Sequence, residues 1–311
     1  MILSVSRRTD IPAFYSDWFM NRIREGYVMV RNPMSYHAVS KVDIRPDVVD
    51  CIVFWTKDPQ PLIKHLEILS QSYKFYFQYT LNAYGKEVEP GLPALNDRIE
   101  TFIRLSELIG KDKVIWRYDP IIITEKYTEE WHLKAFAYLS ERLSEYTESC
   151  VFSYLDTYDK IAANMKSINA RALDLDSMKS IAISLKEIAT PKGIKLKTCS
   201  ENVDLRAVGI EPSCCIDPHL ISNLIGCNIR AKKDPNQRTS CGCIESVDIG
   251  QYNTCLHGCK YCYANYSATS VATNAKKHDP ASTMLLGKVE ADDKITERKV
   301  RSLVEDQISL F

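Results

Sequence analysis

Apolar runs with strand character alternate with helix-like segments along the first 198 residues. The run Cys51–Thr56 is almost continuously apolar, as expected of a strand buried on both faces. Other strands are predicted at residues 2–6, 75–80, 114–118, 151–155 and 194–198, with helices at 15–25, 62–69, 96–109, 128–146 and 177–189. Such alternation is typical of a parallel sheet, either a barrel or a doubly wound sheet.

Five of these predicted strands have polar endings, in segments 6–10, 56–57, 117–119, 153–156 and 198–201. In parallel sheets, ligands bind at the carboxyl ends of the strands. The five polar endings together therefore predict one shared functional face.

The cysteines are distributed unevenly. Nine of the eleven lie between residues 199 and 262, whereas Cys51 and Cys150 stand in or beside predicted apolar strands and are expected in the core. The chain shows no secretory signal and no apolar run long enough to span a membrane, so we expect a cytoplasmic protein that does not bind membranes. In a reducing compartment, clustered cysteines indicate metal or redox chemistry rather than disulfides.

The charge balance and the histidine content each bear on the class of protein. Forty basic and forty acidic residues cancel, so no overall field draws the protein to nucleic acid. Only six histidines are present, and no His-Glu-x-x-His pattern occurs, which argues against a zinc hydrolase.

The sequence Cys255-Leu-His-Gly-Cys259-Lys-Tyr-Cys262 follows a short predicted strand at residues 246–250. Three thiolates on one tight loop suit a [4Fe–4S] cluster, which normally takes four cysteine ligands, and they leave one iron open. A structural zinc ion would need a fourth ligand, which His257, Cys241 or Cys243 could provide. The spacing therefore predicts a metal centre and leaves zinc as an alternative.

A second group of cysteines precedes this loop. We predict that an auxiliary iron–sulfur cluster is bound by Cys199, Cys215, Cys241 and Cys243. Gly242 would let both of its neighbours turn toward one site. A structural zinc ion and free buried thiols are the alternatives.

The C-x3-C-x2-C spacing, with Tyr261 before the third cysteine, resembles the cluster loop of the radical S-adenosylmethionine (SAM) superfamily. Segments 54–57, 117–122 and 259–264 are similar to parts of spore-photoproduct-lyase-like proteins. Nearly the whole chain resembles an uncharacterised bacterial family sometimes labelled "DNA repair photolyase". That family shares the opening Ser6-Arg-Arg-Thr-Asp-Ile-Pro12 and the pair Cys241-Gly-Cys243.

The resemblance implies a partial or full (β/α) barrel of the TIM type. In the superfamily the cysteine loop follows the first strand near the N-terminus, whereas here it lies beyond residue 250. We therefore expect a circularly permuted barrel in which strand 246–250 comes first and strand 2–6 follows it in space. Residues 1–198 would supply the barrel, the Cys-rich segment 199–272 would complete it, and 273–311 would form a polar tail.

The resemblance also implies an activity, in which SAM binds the open iron, a 5′-deoxyadenosyl radical forms, and hydrogen is abstracted from the substrate. Arg117 would pair with the SAM carboxylate, because a guanidinium matches a carboxylate with two hydrogen bonds. Lys57 and Arg8 would line the same pocket, and Tyr261 would lie against the adenine. No segment matches the superfamily's Gly-Gly-Glu element, so contacts to the SAM amine stay open.

The substrate cannot be read from the sequence. A nucleic-acid-related substrate would fit the photolyase-like resemblance, and the reducing partner would be a protein such as ferredoxin or flavodoxin. The alternative is a non-catalytic iron–sulfur or zinc protein, either an electron carrier or a DNA-associated binding module. The C-terminal Gln307-Ile-Ser-Leu-Phe311 resembles peptides that dock on the bacterial sliding clamp, in which Leu and Phe fill apolar pockets. The same two side chains could instead pack on the barrel.

Overall fold

The computed structural model describes residues 1–305 except Thr157, Asn202 and Thr239. Its main element is an eight-stranded parallel sheet with the strand order β10-β1-β4-β5-β6-β7-β8-β9. The predicted parallel α/β architecture is confirmed. In chain order the strands are β1 (Ile2–Val5), β2 (Tyr27–Asn32), β3 (Ser35–Asp43), β4 (Cys51–Thr56), β5 (Phe75–Thr80), β6 (Val114–Ile121), β7 (Ser149–Tyr154), β8 (Lys195–Thr198), β9 (Glu211–Pro212), β10 (Val247–Asp248) and β11 (Lys294–Glu297).

Side-chain caps begin the two long helices that follow β6 and β7. Thr128 accepts a hydrogen bond from the backbone N–H of Trp131 at 3.1 Å, and Asp174 accepts one from Ser177 at 2.8 Å. In chain order the helices are α1 (Ile11–Phe14), α2 (Ser16–Glu25), α3 (Gln60–Ile63), α4 (Leu66–Ser70), α5 (Leu95–Ile109), α6 (Glu129–Leu143), α7 (Ala162–Ser167), α8 (Leu175–Ala189), α9 (Pro218–Ile225) and α10 (Ala268–Ala275).

The two faces of the large sheet are covered by different parts of the chain. Side chains alternate between the faces along each strand. Phe54 of β4 packs into a large core that includes Phe102 of α5 and Phe136 of α6. On the other face, Val53 packs with Ile216 in a smaller core built largely from residues after β8. Helices therefore cover one face, which we call the outer face, and the Cys-rich segment covers the inner face.

Strand β10 is the last strand of the large sheet in sequence, yet it pairs with the first. Leu3 lies opposite Val247, and Ser4 lies opposite Asp248. The predicted strand is thus confirmed over Val247–Asp248, beside β1 as expected. Because the strands are parallel, the residues that follow β10 emerge at the same edge as those that follow β1, β4, β5 and β6.

Strands β2, β3 and β11 form a second sheet in which β11 pairs with β3 in parallel. The described part of the segment expected to be a polar tail packs on the domain. Trp18 donates a hydrogen bond to the Ser282 carbonyl at 2.9 Å, and Met284 and Leu285 are buried. None of the helices in the described part of the chain combines the length and apolar character that a membrane crossing requires.

Candidate functional site

The loop that carries Cys255, Cys259 and Cys262, called the cysteine loop below, begins where β10 ends. Asp248 fixes this point, because its carboxylate accepts hydrogen bonds from Ser4 Oγ at 3.0 Å and Ser6 Oγ at 2.6 Å. The same carboxylate accepts a bond from the Arg7 amide at 2.9 Å. The carboxyl ends of β10 and β1 are thereby joined directly beneath the loop.

A neighbouring loop from β5 to α5 holds the cysteine loop through its main chain. The Gly91 N–H donates to the His257 carbonyl at 2.8 Å, and the Lys260 N–H donates to the Val88 carbonyl at 2.9 Å. A Cβ atom at position 91 would lie 2.6 Å from the carbonyl oxygens of Leu256 and His257. Only glycine allows the two loops to approach this closely.

The opposite side of the cysteine loop is held by Asn253, which adopts a left-handed conformation with φ of 55°. Its side-chain oxygen accepts hydrogen bonds from the amides of Tyr266 at 3.0 Å and Ser267 at 3.2 Å. Asn274 of α10 donates to the Asn253 carbonyl at 3.0 Å. The three cysteines therefore sit on a backbone that is fixed from both sides.

The three thiols of this loop lie in a low-polarity environment. Cys259 is buried, and Cys255 and Cys262 are partly buried. Burial raises the pKa of all three thiols, and the Asp10 carboxylate raises that of Cys255 further. A bound metal would replace these protons, because thiolates are the ligands.

His257 lies within the cysteine motif, and one of its two ring nitrogens has a hydrogen-bond partner. Its Nε2 lies 2.9 Å from Asp10 Oδ2, and its ring centroid lies 4.6 Å from that of Phe14. Asp10 also accepts bonds from the amides of Lys57 at 2.7 Å and Ala13 at 3.0 Å. Among the described residues, the buried imidazole Nδ1 finds no hydrogen-bond partner. Asp10 thus ties together the ends of β1 and β4 and the cysteine loop.

Lys57 and Tyr261, both predicted from the sequence, meet at a buried carboxylate that was not predicted. Glu89 Oε1 accepts bonds from Lys57 Nζ at 2.9 Å and from the Tyr261 hydroxyl. Glu89 Oε2 lies 3.5 Å from Arg98 Nη1, and the Glu89 side chain is only 1% exposed. Glu89 lies within a Gly- and Pro-containing loop with no periodic pattern, so nothing in the sequence marks it.

The two predicted arginines lie in different places. Arg8 lies beside the cysteine loop, with its guanidinium 5.2 Å from the Tyr252 ring centroid. Arg117 instead donates to Asp119 at 3.0 Å and to Cys215 Sγ at 2.8 Å. Burial alone would raise the pKa of Asp119, but the Arg117 guanidinium holds it below its usual range.

The second predicted cysteine set is brought together on the inner face of the sheet. The Cys199 and Cys215 sulfurs lie 3.3 Å apart, and the Cys243 thiol is close enough to interact with those of Cys215 and Cys241. Cys215, Cys241 and Cys243 are buried. We call these residues the four-cysteine group: Cys199, Cys215, Cys241 and Cys243.

The other cysteines belong to neither group, although Cys214 lies next to the four-cysteine group. A Cβ atom at Gly242 would lie 2.5 Å from the Cys214 sulfur, so glycine is needed there for the packing of Cys214. Cys51 and Cys150 are buried within β4 and β7. The predicted clamp-docking peptide at residues 307–311 lies outside the described residues.

Sequence and structure comparisons give one family. Residues 2–264 match the family described as "Domain of unknown function (DUF1848)". No curated protein matches the chain. Among solved structures, the crystal structure of a candidate alpha-L-fucosidase from Bacteroides thetaiotaomicron aligns over 57% of this chain and 84% of its own, at 12% identity and a TM-score of 0.29. A similarity at that level supports no inference about fold or function.

Proposed function

The chain belongs to the DUF1848 family of unknown function, and from this premise we propose that it is a radical SAM enzyme. Its [4Fe–4S] cluster would be bound by Cys255, Cys259 and Cys262. The observation that carries the proposal is the position of the cysteine loop, directly after a strand that pairs in parallel with β1. This is the arrangement expected of a permuted barrel whose first strand precedes its cluster loop.

The residues of the loop suit such a cluster. It offers three thiols on a main chain fixed by Gly91 and Asn253, while His257 Nε2 is engaged with Asp10. A cubane cluster with three cysteine ligands keeps one iron open for a substrate or cofactor. Bound together, the cluster and SAM supply reductive cleavage of SAM to a 5′-deoxyadenosyl radical that abstracts hydrogen.

The protein's own side chains would bind and orient the cofactor. Lys57 is a cation beside the loop, and its charge favours the thiolate form of Cys259. We propose that Lys57 also attracts the SAM carboxylate and that Arg8 lines the same pocket. The Arg117 donors face Asp119 and Cys215 instead. Glu89 holds Lys57 and Tyr261 in place, so that the tyrosine ring can lie against the adenine.

The test is an anaerobic reconstitution with iron and sulfide, followed by dithionite reduction in the presence of SAM. We expect 5′-deoxyadenosine, detected by mass spectrometry, from the wild type and from a Cys227→Ala control at an exposed cysteine. The triple variant Cys255→Ala, Cys259→Ala, Cys262→Ala should release none. The proposal would be contradicted if the triple variant still released 5′-deoxyadenosine, or if wild-type protein with its full complement of iron and sulfide released none.

One observation favours a second candidate function, a non-catalytic zinc or iron–sulfur protein. The Asp10–His257 pair resembles the carboxylate–histidine arrangement behind many zinc ligands, and His257 Nδ1 has no partner. One zinc ion per chain, together with a SAM-indifferent electron paramagnetic resonance signal, would identify this function. An electron donor such as ferredoxin or flavodoxin and a nucleic-acid-related substrate belong to the first proposal alone.

A further inference from the structure

The four-cysteine group is assembled from three separate segments of the chain. Cys199 follows β8, Cys215 precedes α9, and Cys241 and Cys243 lie on the segment that leads to β10. The Cys199 and Cys215 sulfurs are in contact, and the Cys243 thiol interacts with those of Cys215 and Cys241. We call the four sulfurs, in the order Cys199, Cys215, Cys243, Cys241, the row. The row is backed by the apolar inner core that contains Val53 and Ile216.

Polar donors are aimed at these sulfurs. The Ile216 amide donates to Cys243 Sγ at 3.4 Å, and Arg117 Nη1 donates to Cys215 Sγ at 2.8 Å. Hydrogen bonds of this kind stabilise thiolate ligands and tune the potential of iron–sulfur clusters.

A second guanidinium near the row lacks a partner. Arg7 lies 5.3 Å from the Trp55 ring centroid, and Arg117 lies 5.7 Å from the same ring. Arg7 Nη1 reaches Asp234 at 3.4 Å, whereas the buried Arg7 Nη2 has no hydrogen-bond partner in the part of the chain that the structure describes. A buried donor without an acceptor is costly, so this nitrogen indicates an acceptor that belongs beside the sulfurs.

The spacing of the sulfurs argues against a single zinc ion. At a Zn–S distance of about 2.3 Å, four sulfurs around one ion lie about 3.8 Å from one another. Within the described ranges, three metal-ligating atoms converge within 4.8 Å only at His37, Glu290 and Asp293, so no three of these sulfurs do so. A row of sulfurs suits a larger, polynuclear centre that also presents sulfide as an acceptor.

We infer that Cys199, Cys215, Cys241 and Cys243 bind a second iron–sulfur cluster, with Arg7 and Arg117 donating to its sulfur atoms. A short chain of contacts joins this position to the cysteine loop. Asp119, which pairs with Arg117, accepts a hydrogen bond at its carbonyl from Asn82 at 2.8 Å. Asn82 also lies 3.4 Å from the Tyr261 hydroxyl. The second cluster would therefore lie beside the first.

The test uses the full chain with the cysteine-loop triple variant as background, so that its result does not depend on SAM chemistry. After anaerobic reconstitution, iron, acid-labile sulfide and zinc are counted per chain. We expect the background protein to retain one cluster's iron and sulfide. Adding Cys241→Ser and Cys243→Ser should remove both, whereas adding Cys214→Ser, next to the row, should not.

Two outcomes of this metal and sulfide count would overturn the inference. One is a single zinc ion per chain without sulfide in the background protein, and the other is iron that persists without Cys241 and Cys243. Circular dichroism checks that the variants fold. Should the double variant unfold, Arg117→Lys in the same background provides a second measurement. It must shift the reduction potential of the retained cluster, and an unchanged potential would equally overturn the inference.

Discussion

The cysteine loop and the four-cysteine group are built in different ways. The loop takes its three thiols from one turn of chain, and its shape is set by main-chain hydrogen bonds to Gly91, Val88 and Asn253. The four-cysteine group draws on three segments that meet only because the sheet and its inner core form. The first therefore depends on the fit of one loop, and the second depends on the fold as a whole.

The largest expected effect is that of a substitution at Gly91, which should disrupt the cysteine loop and leave the four-cysteine group intact. In Gly91→Ala the new Cβ would clash with the Leu256 and His257 carbonyls, which are backbone atoms that cannot rotate away. We expect the variant to lose iron at the cysteine loop and all 5′-deoxyadenosine formation. The second cluster should be retained, as iron and sulfide counts would show.

The matched control for this prediction is Gly85→Ala in the same connecting loop. There the added Cβ meets only the end of the flexible Glu87 side chain, which can move aside. Both clusters should load as in the wild type. If Gly91→Ala also emptied the four-cysteine group, the two regions would not be independent.

A smaller effect is expected at Glu89, which neutralises Lys57 and Arg98 beneath the cysteine loop. Glu89→Gln would leave buried cations without a counter-charge. Breaking a buried ion pair in this way typically costs about 3–5 kcal/mol of unfolding free energy. Urea unfolding of the metal-free protein measures the change.

Glu100→Gln is the control for Glu89, since Glu100 pairs with Arg142 in an exposed ion pair. We expect a change of less than about 1 kcal/mol there. Equal effects at the two positions would show that the Glu89 network does not support the loop.

The smallest expected effect is a change in the Kd for SAM. It compares one cation from each region, Lys57 and Arg117. Lys57→Gln keeps a donor for Glu89 but removes the positive charge beside the cysteine loop, so the Kd for SAM should rise about tenfold, as loss of one charged hydrogen bond predicts. Arg117→Lys should change that Kd less than about twofold. Equilibrium dialysis of the reconstituted proteins measures both. A larger loss of SAM affinity in Arg117→Lys would instead support the role that the family resemblance gives to Arg117, which is to pair with the SAM carboxylate.

The predicted strands that were nearly continuous apolar runs agree with the structure, since β4 and β5 have the predicted bounds. The prediction for β6 ended too early. The strand continues through Pro120 to Ile121, across a register shift that starts after Tyr118. Proline is tolerated in strands at such irregularities, so it does not stop this one. Strands β2 and β3 were not predicted, because their small sheet is half exposed and its apolar pattern is weak.

The candidate site was predictable where its residues are close in sequence. The cysteine loop is marked by its own spacing, and the polar ends of β1 and β4 correctly indicated the region of Asp10 and Lys57. Glu89 and Gly91 could not be recognised, because their role depends on contacts with residues more than 150 positions away. Arg117 lies in a predicted strand, as β6 confirms, but the direction of its side chain is set by Asp119 and Cys215.

The pairing of β10 with β1 has a consequence for biosynthesis. A chain emerging from the ribosome folds from its N-terminus. Strand β1 therefore keeps one edge unpaired until residues 247–248 have been made. The cysteine loop follows directly after that late strand, so a chain that stops before β10 cannot form the metal centre of this loop. Maturation of that centre becomes a report that synthesis has passed the cysteine loop.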